Sequence, residues 1–77
     1  MSTDFRALEA LAMRVCASVR TLASDREAWI AIDRLPPHMP GDEVHRVHAA
    51  IAFAGAKGWL AISRAPADHV LLKPGAP

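Results

Sequence analysis

A single cysteine, Cys16, is all the thiol this chain of 77 residues has, so no intrachain disulfide can brace it. Long apolar runs are also missing. No stretch of about 18 apolar residues occurs, which excludes a membrane-spanning helix. The opening Met1-Ser2-Thr3-Asp4 lacks the basic and then apolar character of a secretory leader, and a cytoplasmic location is expected. Charge of one sign is scarce: nine Lys and Arg face eight Asp and Glu, for a net charge of +1. A domain that holds nucleic acid through bulk positive charge is thereby excluded, and only a local basic patch could serve. There is no Gly-rich phosphate loop, no nucleophile elbow and no pair of carboxylates with a credible pocket. An enzyme is not expected, because a chain this short rarely encloses a substrate cavity. No internal repeat or linker is visible, and the chain reads as one domain over 1–77.

What is present is enough for a core. The hydrophobic fraction is 52%, well above that of disordered chains. Much of it is alanine, which lets helices approach but buries little area per residue. A domain of this size buries only roughly 60–65% of its unfolded surface, which leaves room for support from a second subunit. The richness in Ala, Arg and Pro suggests a bacterial or phage chain.

Phe5, Leu8, Leu11, Ala12, Val15, Cys16, Val19 and Leu22 recur in steps of three and four. That period predicts an amphipathic helix over 4–23. Ser24-Asp25-Arg26-Glu27 has the form of a capping box and predicts a second helix over 25–34, although Trp29-Ile30-Ala31-Ile32 also fits a short strand. Pro36-Pro37 is expected to end that element, and Pro36 to Gly41 to form a connector. A third helix is predicted over 42–57, with Val44, Val47, Ile51 and Ala54 inward. Gly55 lies at the edge of that stripe, where it permits close helix packing, and Gly58 is the expected left-handed residue past the helix end. Trp59–Ser63 and His69–Lys73 alternate as the strands of a hairpin around a loop at 64–68. Trp29 and Trp59 are expected in or at the edge of the core, and Cys16 as a small buried hydrophobe. The pair His45 and His48 has metal-ligand spacing, but no third ligand supports it, so no metal or other cofactor is expected.

Three helices followed by a hairpin is a sequence order that resembles the winged helix-turn-helix superfamily. The junction Ala54-Gly55-Ala56-Lys57-Gly58-Trp59-Leu60 resembles the end of a recognition helix entering the first wing strand. His69-Val70-Leu71-Leu72-Lys73-Pro74-Gly75 resembles the second wing strand and its turn, and a strand at Trp29–Ile32 would match the short first strand many members have. The resemblance covers 5–75. It implies an α+β, mainly α fold in which helix 42–57 enters the major groove of double-stranded DNA and the wing touches the backbone. It also implies a transcriptional regulator working as a homodimer. His45, Arg46, Lys57, Arg64 and His69 would then carry nucleic-acid contacts. With Val44, Val47 and Ile51 inward, the outward face becomes His45, Arg46, Ala49, Ala50, Phe53 and Lys57. That face is rich in alanine, and Asp42 and Glu43 stand at the helix end that approaches DNA. A second reading is therefore a protein-interaction module on the same scaffold, a subunit of a complex or a phage-type inhibitor. In that case Phe53 is an interface residue.

Overall fold

The computed structural model describes residues 5–24, 26–63 and 68–77. Helix α1 spans Phe5–Leu22, strand β1 Ile30–Ala31, a 3-10 turn Ile32–Arg34, helix α2 Leu35–His38 and helix α3 Val44–Ala56. Strands β2, Leu60–Ile62, and β3, His69–Leu72, complete the order. Among the described residues this is a mainly helical α+β fold with one antiparallel sheet, ordered β1-β3-β2.

The core forms where α1 and α3 face each other. Leu11, Ala12, Val15, Cys16 and Val19 of α1 are buried, as the apolar period predicts. Val47, Ala50, Ile51 and Ala54 of α3 meet them. Ala12, Ala50 and Ala54 are fully buried, and such small side chains let two helices pack closely. The sheet adds Ile30, Leu60 and Val70, and α2 with the turn after it adds Leu35 and Met39. The Cα radius of gyration is 11.5 Å, which is the value of a single compact core at this length.

The helix predicted over 25–34 is not formed, and Ser24 shows why. Its backbone N–H donates to the Thr21 carbonyl at 3.0 Å, and its φ of 54° is left-handed. Ser24 thus terminates α1 as the residue after the helix end, instead of capping a new helix. Ile30 and Ala31 pair with Val70 and His69 of β3, and the Ile32 N–H donates to the Asp68 carbonyl at 2.8 Å. The strand alternative is correct in kind but shorter than Trp29–Ile32. On it Ile30 takes the inward position, so Trp29 is half exposed (50%) and does not lie in the core.

The prolines also work differently from the sequence reading. Pro36 and Pro37 lie in the first turn of α2, where backbone N–H groups have no intrahelical acceptor to lose. Leu35 holds an αR conformation directly before a proline, which local sterics disfavour. Its side chain is completely buried, and that burial outweighs the local preference. The connector between α2 and α3 therefore runs from Met39 to Glu43, later than the predicted 36–41. Phe5, expected inward on α1, is 64% exposed at the helix end.

The end of α3 follows the sequence closely. Gly58 has φ of 78°, its N–H donates to the Gly55 carbonyl at 3.1 Å, and the Trp59 N–H donates to the Ala54 carbonyl at 2.9 Å. This pair of bonds is a Schellman termination. It reverses the chain, so that β2 begins at Leu60. The close approach at Gly55 is to the sheet and not to a helix: a Cβ there would lie 2.7 Å from the Ile62 Cδ1.

Candidate functional site

The helical period, set with Val47, Ala50, Ile51 and Ala54 inward, sorts the rest of α3 into three strips. His45, Ala49, Ala52 and Ala56 form the outward crest, and all four are exposed. Arg46, Phe53 and Lys57 lie along one flank. His48 and Gly55 lie along the other, the flank turned to β2. Two expectations for α3 are corrected by this arrangement. Val44, expected inward, is 55% exposed: with Val47, Ala50, Ile51 and Ala54 inward, the helical period sets it at the flank, in the first residue of the helix. Ala50, expected outward, is fully buried against α1.

The charges on and around α3 are mostly committed. Arg14 of α1 grips Asp42 with both terminal nitrogens, at 2.9 and 3.2 Å. This side-on geometry directs two hydrogen bonds along one carboxylate. It ties α1 to the start of α3 and neutralises one of the two acids there. Glu43, the other, lies 3.2 Å from the His45 Nε2, and both side chains are solvent-exposed. Arg46 has no ion-pair partner among the described residues. Lys57 holds its Nζ 5.7 Å from the centre of the Phe53 ring. Phe53 in turn meets Trp59 edge-to-face, with ring centres 6.1 Å apart.

Phe53 is therefore not the free protrusion expected from the sequence. It is half buried, packs on the core and carries Lys57 on its face. Such a cation–aromatic contact fixes the ammonium without removing its charge. Arg46 and Lys57 share one flank of the helix, three turns and about 16 Å apart at 1.5 Å rise per residue. His69 lies on β3, where its Nδ1 sits 2.7 Å from the Asp68 Oδ1. The Ser63 Oγ accepts the backbone N–H groups of Asp68 and His69 at 3.2 and 3.0 Å and donates to the same carboxylate. The hydrogen bond from His69, with help from Ser63, holds the Asp68 carboxyl below its ordinary value. These bonds close the base of the hairpin. Arg64, the fifth expected contact residue, lies outside the described residues.

His45, Arg46 and Lys57 are thus brought to one helix, and His69 to the neighbouring hairpin. The Arg14–Asp42 pair and the Trp59–Phe53–Lys57 stack were missed by sequence reasoning. The first joins residues 28 positions apart, for which the sequence holds no signal. The second could have been found from the spacing of Phe53 and Lys57 by one helical turn.

Beside the crest, between α3 and the sheet, lies a shallow cavity of about 250 Å³ lined by Ile32, His48, Ile51, Ala52 and Ile62. No three His, Cys, Asp or Glu side chains converge among the described residues, so His45 and His48 have no third ligand there. No helix among them is long and apolar enough to cross a membrane. Compared with known protein families, with curated proteins and with solved structures, the chain matches none.

Proposed function

We propose that the chain is a winged-helix DNA-binding protein, a transcriptional regulator working as a homodimer, with α3 in the major groove and the β2–β3 hairpin on the adjacent backbone. The observation that carries this reading is the position of the strands. A two-residue β1 stands between α1 and α2, β2 follows α3 directly, and β3 returns to lie between β2 and β1. That is the arrangement the winged-helix resemblance implies. The ion pairs at the start of α3 support it further, since Asp42 meets Arg14 and its charge does not face an incoming phosphate alone.

The alanine crest dictates the style of recognition. Ala49, Ala52 and Ala56 offer no hydrogen-bond donors, so they can press on thymine methyls but cannot read guanine or cytosine edges. Arg46 is the flank residue able to reach a base edge or a phosphate. Lys57 is a phosphate contact held in place by Phe53. Binding therefore depends strongly on salt and only moderately on sequence. Titrating a labelled duplex with the Arg46→Ala and Lys57→Ala variants tests this. Lys57→Ala weakens all duplexes alike and lowers the salt slope by about one. Arg46→Ala weakens binding and relaxes preference at one position. Variants that bind like the parent sink the assignment.

One observation favours the second reading, a protein-interaction module. The cavity beside Ala52 is walled by Ile32, Ile51 and Ile62 and suits an apolar side chain of a partner. Ala52→Glu separates the two readings. Ala52 is exposed, so the fold is kept while the cavity is blocked. If the variant loses a protein partner while the parent ignores DNA even at low salt, the second reading replaces the first.

A further inference from the structure

A second site lies away from the crest of α3, where the end of α1, the segment leading to β1 and the end of β3 meet. Arg20, Arg26, Glu27, Leu72, Lys73 and Pro74 line an open cavity of about 250 Å³ there. Among the described residues that line it, the cations Arg20, Arg26 and Lys73 stand with one side-chain carboxylate, that of Glu27.

We propose that this cavity binds a small phosphate-bearing anion. The backbone at each cation is fixed before a ligand arrives. Arg26 donates its N–H to the Ala23 carbonyl at 3.0 Å, and Lys73 donates its N–H to the Trp59 carbonyl at 2.9 Å. Arg20 is part of α1, and one guanidinium nitrogen donates to the main-chain oxygen of Pro77 at 3.0 Å. That bond uses one of five N–H donors, and the rest of the planar fork remains available. Arg26 and Lys73 have no ion-pair partner among the described residues. Two guanidinium groups and an ammonium suit the three terminal oxygens and the double charge of a phosphate monoester. The cavity, about 250 Å³ and open to solvent, has room for a phosphate group with a small organic body. Leu72 and Pro74 supply an apolar wall for that body, and Glu27 an acceptor for a hydroxyl on it.

The site stands on its own residues and does not depend on α3 reading DNA. The test is a titration of the isotope-labelled protein with inorganic phosphate, followed by amide NMR at ionic strength held constant with chloride. Saturable shifts are expected at Arg20, Arg26, Glu27 and Lys73, with none at His45, Arg46 or Ala49. Arg26→Gln and Lys73→Gln should each raise the Kd about tenfold, the loss of one charge-assisted hydrogen bond. Glu27→Gln should lower it, because it removes the opposing charge. All three side chains are exposed, so the variants keep the fold, which their spectra verify. Shifts that stay linear, spread evenly over all cations, or persist unchanged in the Arg26→Gln, Lys73→Gln double variant overturn the proposal. A duplex oligonucleotide added in a second arm identifies the source of the phosphate. If it leaves these amides unmoved, the ligand is a small molecule. If it displaces inorganic phosphate from them, the small-molecule assignment is refuted and the cations belong to a nucleic-acid backbone.

Discussion

Replacing Gly58 with alanine isolates the one backbone conformation on which the junction of α3 and the hairpin depends. Gly58 has φ of 78°, and an added Cβ would meet no atom within 4 Å. The effect of the substitution is therefore conformational and not steric. An L-residue in the left-handed region costs about 1–2 kcal/mol. The smaller conformational freedom of unfolded alanine offsets about 0.4–1 kcal/mol of this. The net loss is about 1 kcal/mol, which lowers the Tm of a domain this size by roughly 4–8 °C. Gly41 and Gly75 serve as controls, since both have open space around a Cβ and neither has positive φ. Alanine there should be neutral or slightly stabilising. The chain is short enough for chemical synthesis, so D-alanine can also be placed at position 58. It favours the left-handed region and should raise the Tm where L-alanine lowers it. Thermal unfolding by circular dichroism reads all four proteins. Equal effects of L- and D-alanine, or no loss with L-alanine, would refute the reasoning.

Ser24→Gly should stabilise the protein by about 1 kcal/mol in the same assay, because Ser24 carries a left-handed φ of 54° without being glycine. A loss of stability there would show that the serine hydroxyl matters more than the backbone strain. Leu35→Ala should destabilise by about 2–5 kcal/mol in urea titrations, since Leu35 is fully buried. That is a large part of the roughly 4–12 kcal/mol available to a chain of this length, and a change under 1 kcal/mol would contradict the packing described. Burial raises the Cys16 thiol above its ordinary value, with Arg20 opposing weakly. The folded protein then resists ionisation that the unfolded chain undergoes. Stability is full below the unfolded thiol value and falls above it, by at most about 1.4 kcal/mol per pH unit. Cys16→Val should flatten that alkaline decline, and a thiol reagent should label Cys16 only as fast as the protein opens. The depressed Asp68 carboxyl acts on the acid side: its contribution is present above the usual aspartate value and is lost as pH falls through the lower folded one. Asp68→Asn should remove that part of the acid transition.

The sequence was most legible where a local pattern and its tertiary partner agree. The apolar period of α1, the termination at Gly58 and the alternation of both hairpin strands could all be read along the chain. The region from Ser24 to His38 was legible only in the strand alternative at Trp29–Ile32, because three local signals point the wrong way there. The capping box competes with a left-handed helix end at Ser24. The helical pattern competes with backbone pairing to β3, which lies about 40 residues later. The proline pair reads as a stop but sits in a first turn. At the candidate site, His45, Arg46 and Lys57 were named from the winged-helix resemblance and their places on a helical wheel. Their surroundings depend on which face α1 covers, and an inward choice of Val44 over Ala50 shifted the predicted face. The contacts that matter for charge, Arg14 with Asp42 and Lys57 with Phe53, follow only from packing.

Fluorescence anisotropy of a labelled duplex across salt concentration tests the central claim most directly. The proposed phosphate contacts of Arg46, Lys57 and Arg64, about three per protomer, predict a slope of log K against log salt of about −2.7 for each protomer bound. Raising salt from about 50 to 150 mM should then weaken binding roughly twentyfold per protomer, and Lys57→Ala should reduce the slope by about one. Absence of binding at low salt, or binding that salt and Lys57→Ala leave unchanged, would contradict the account.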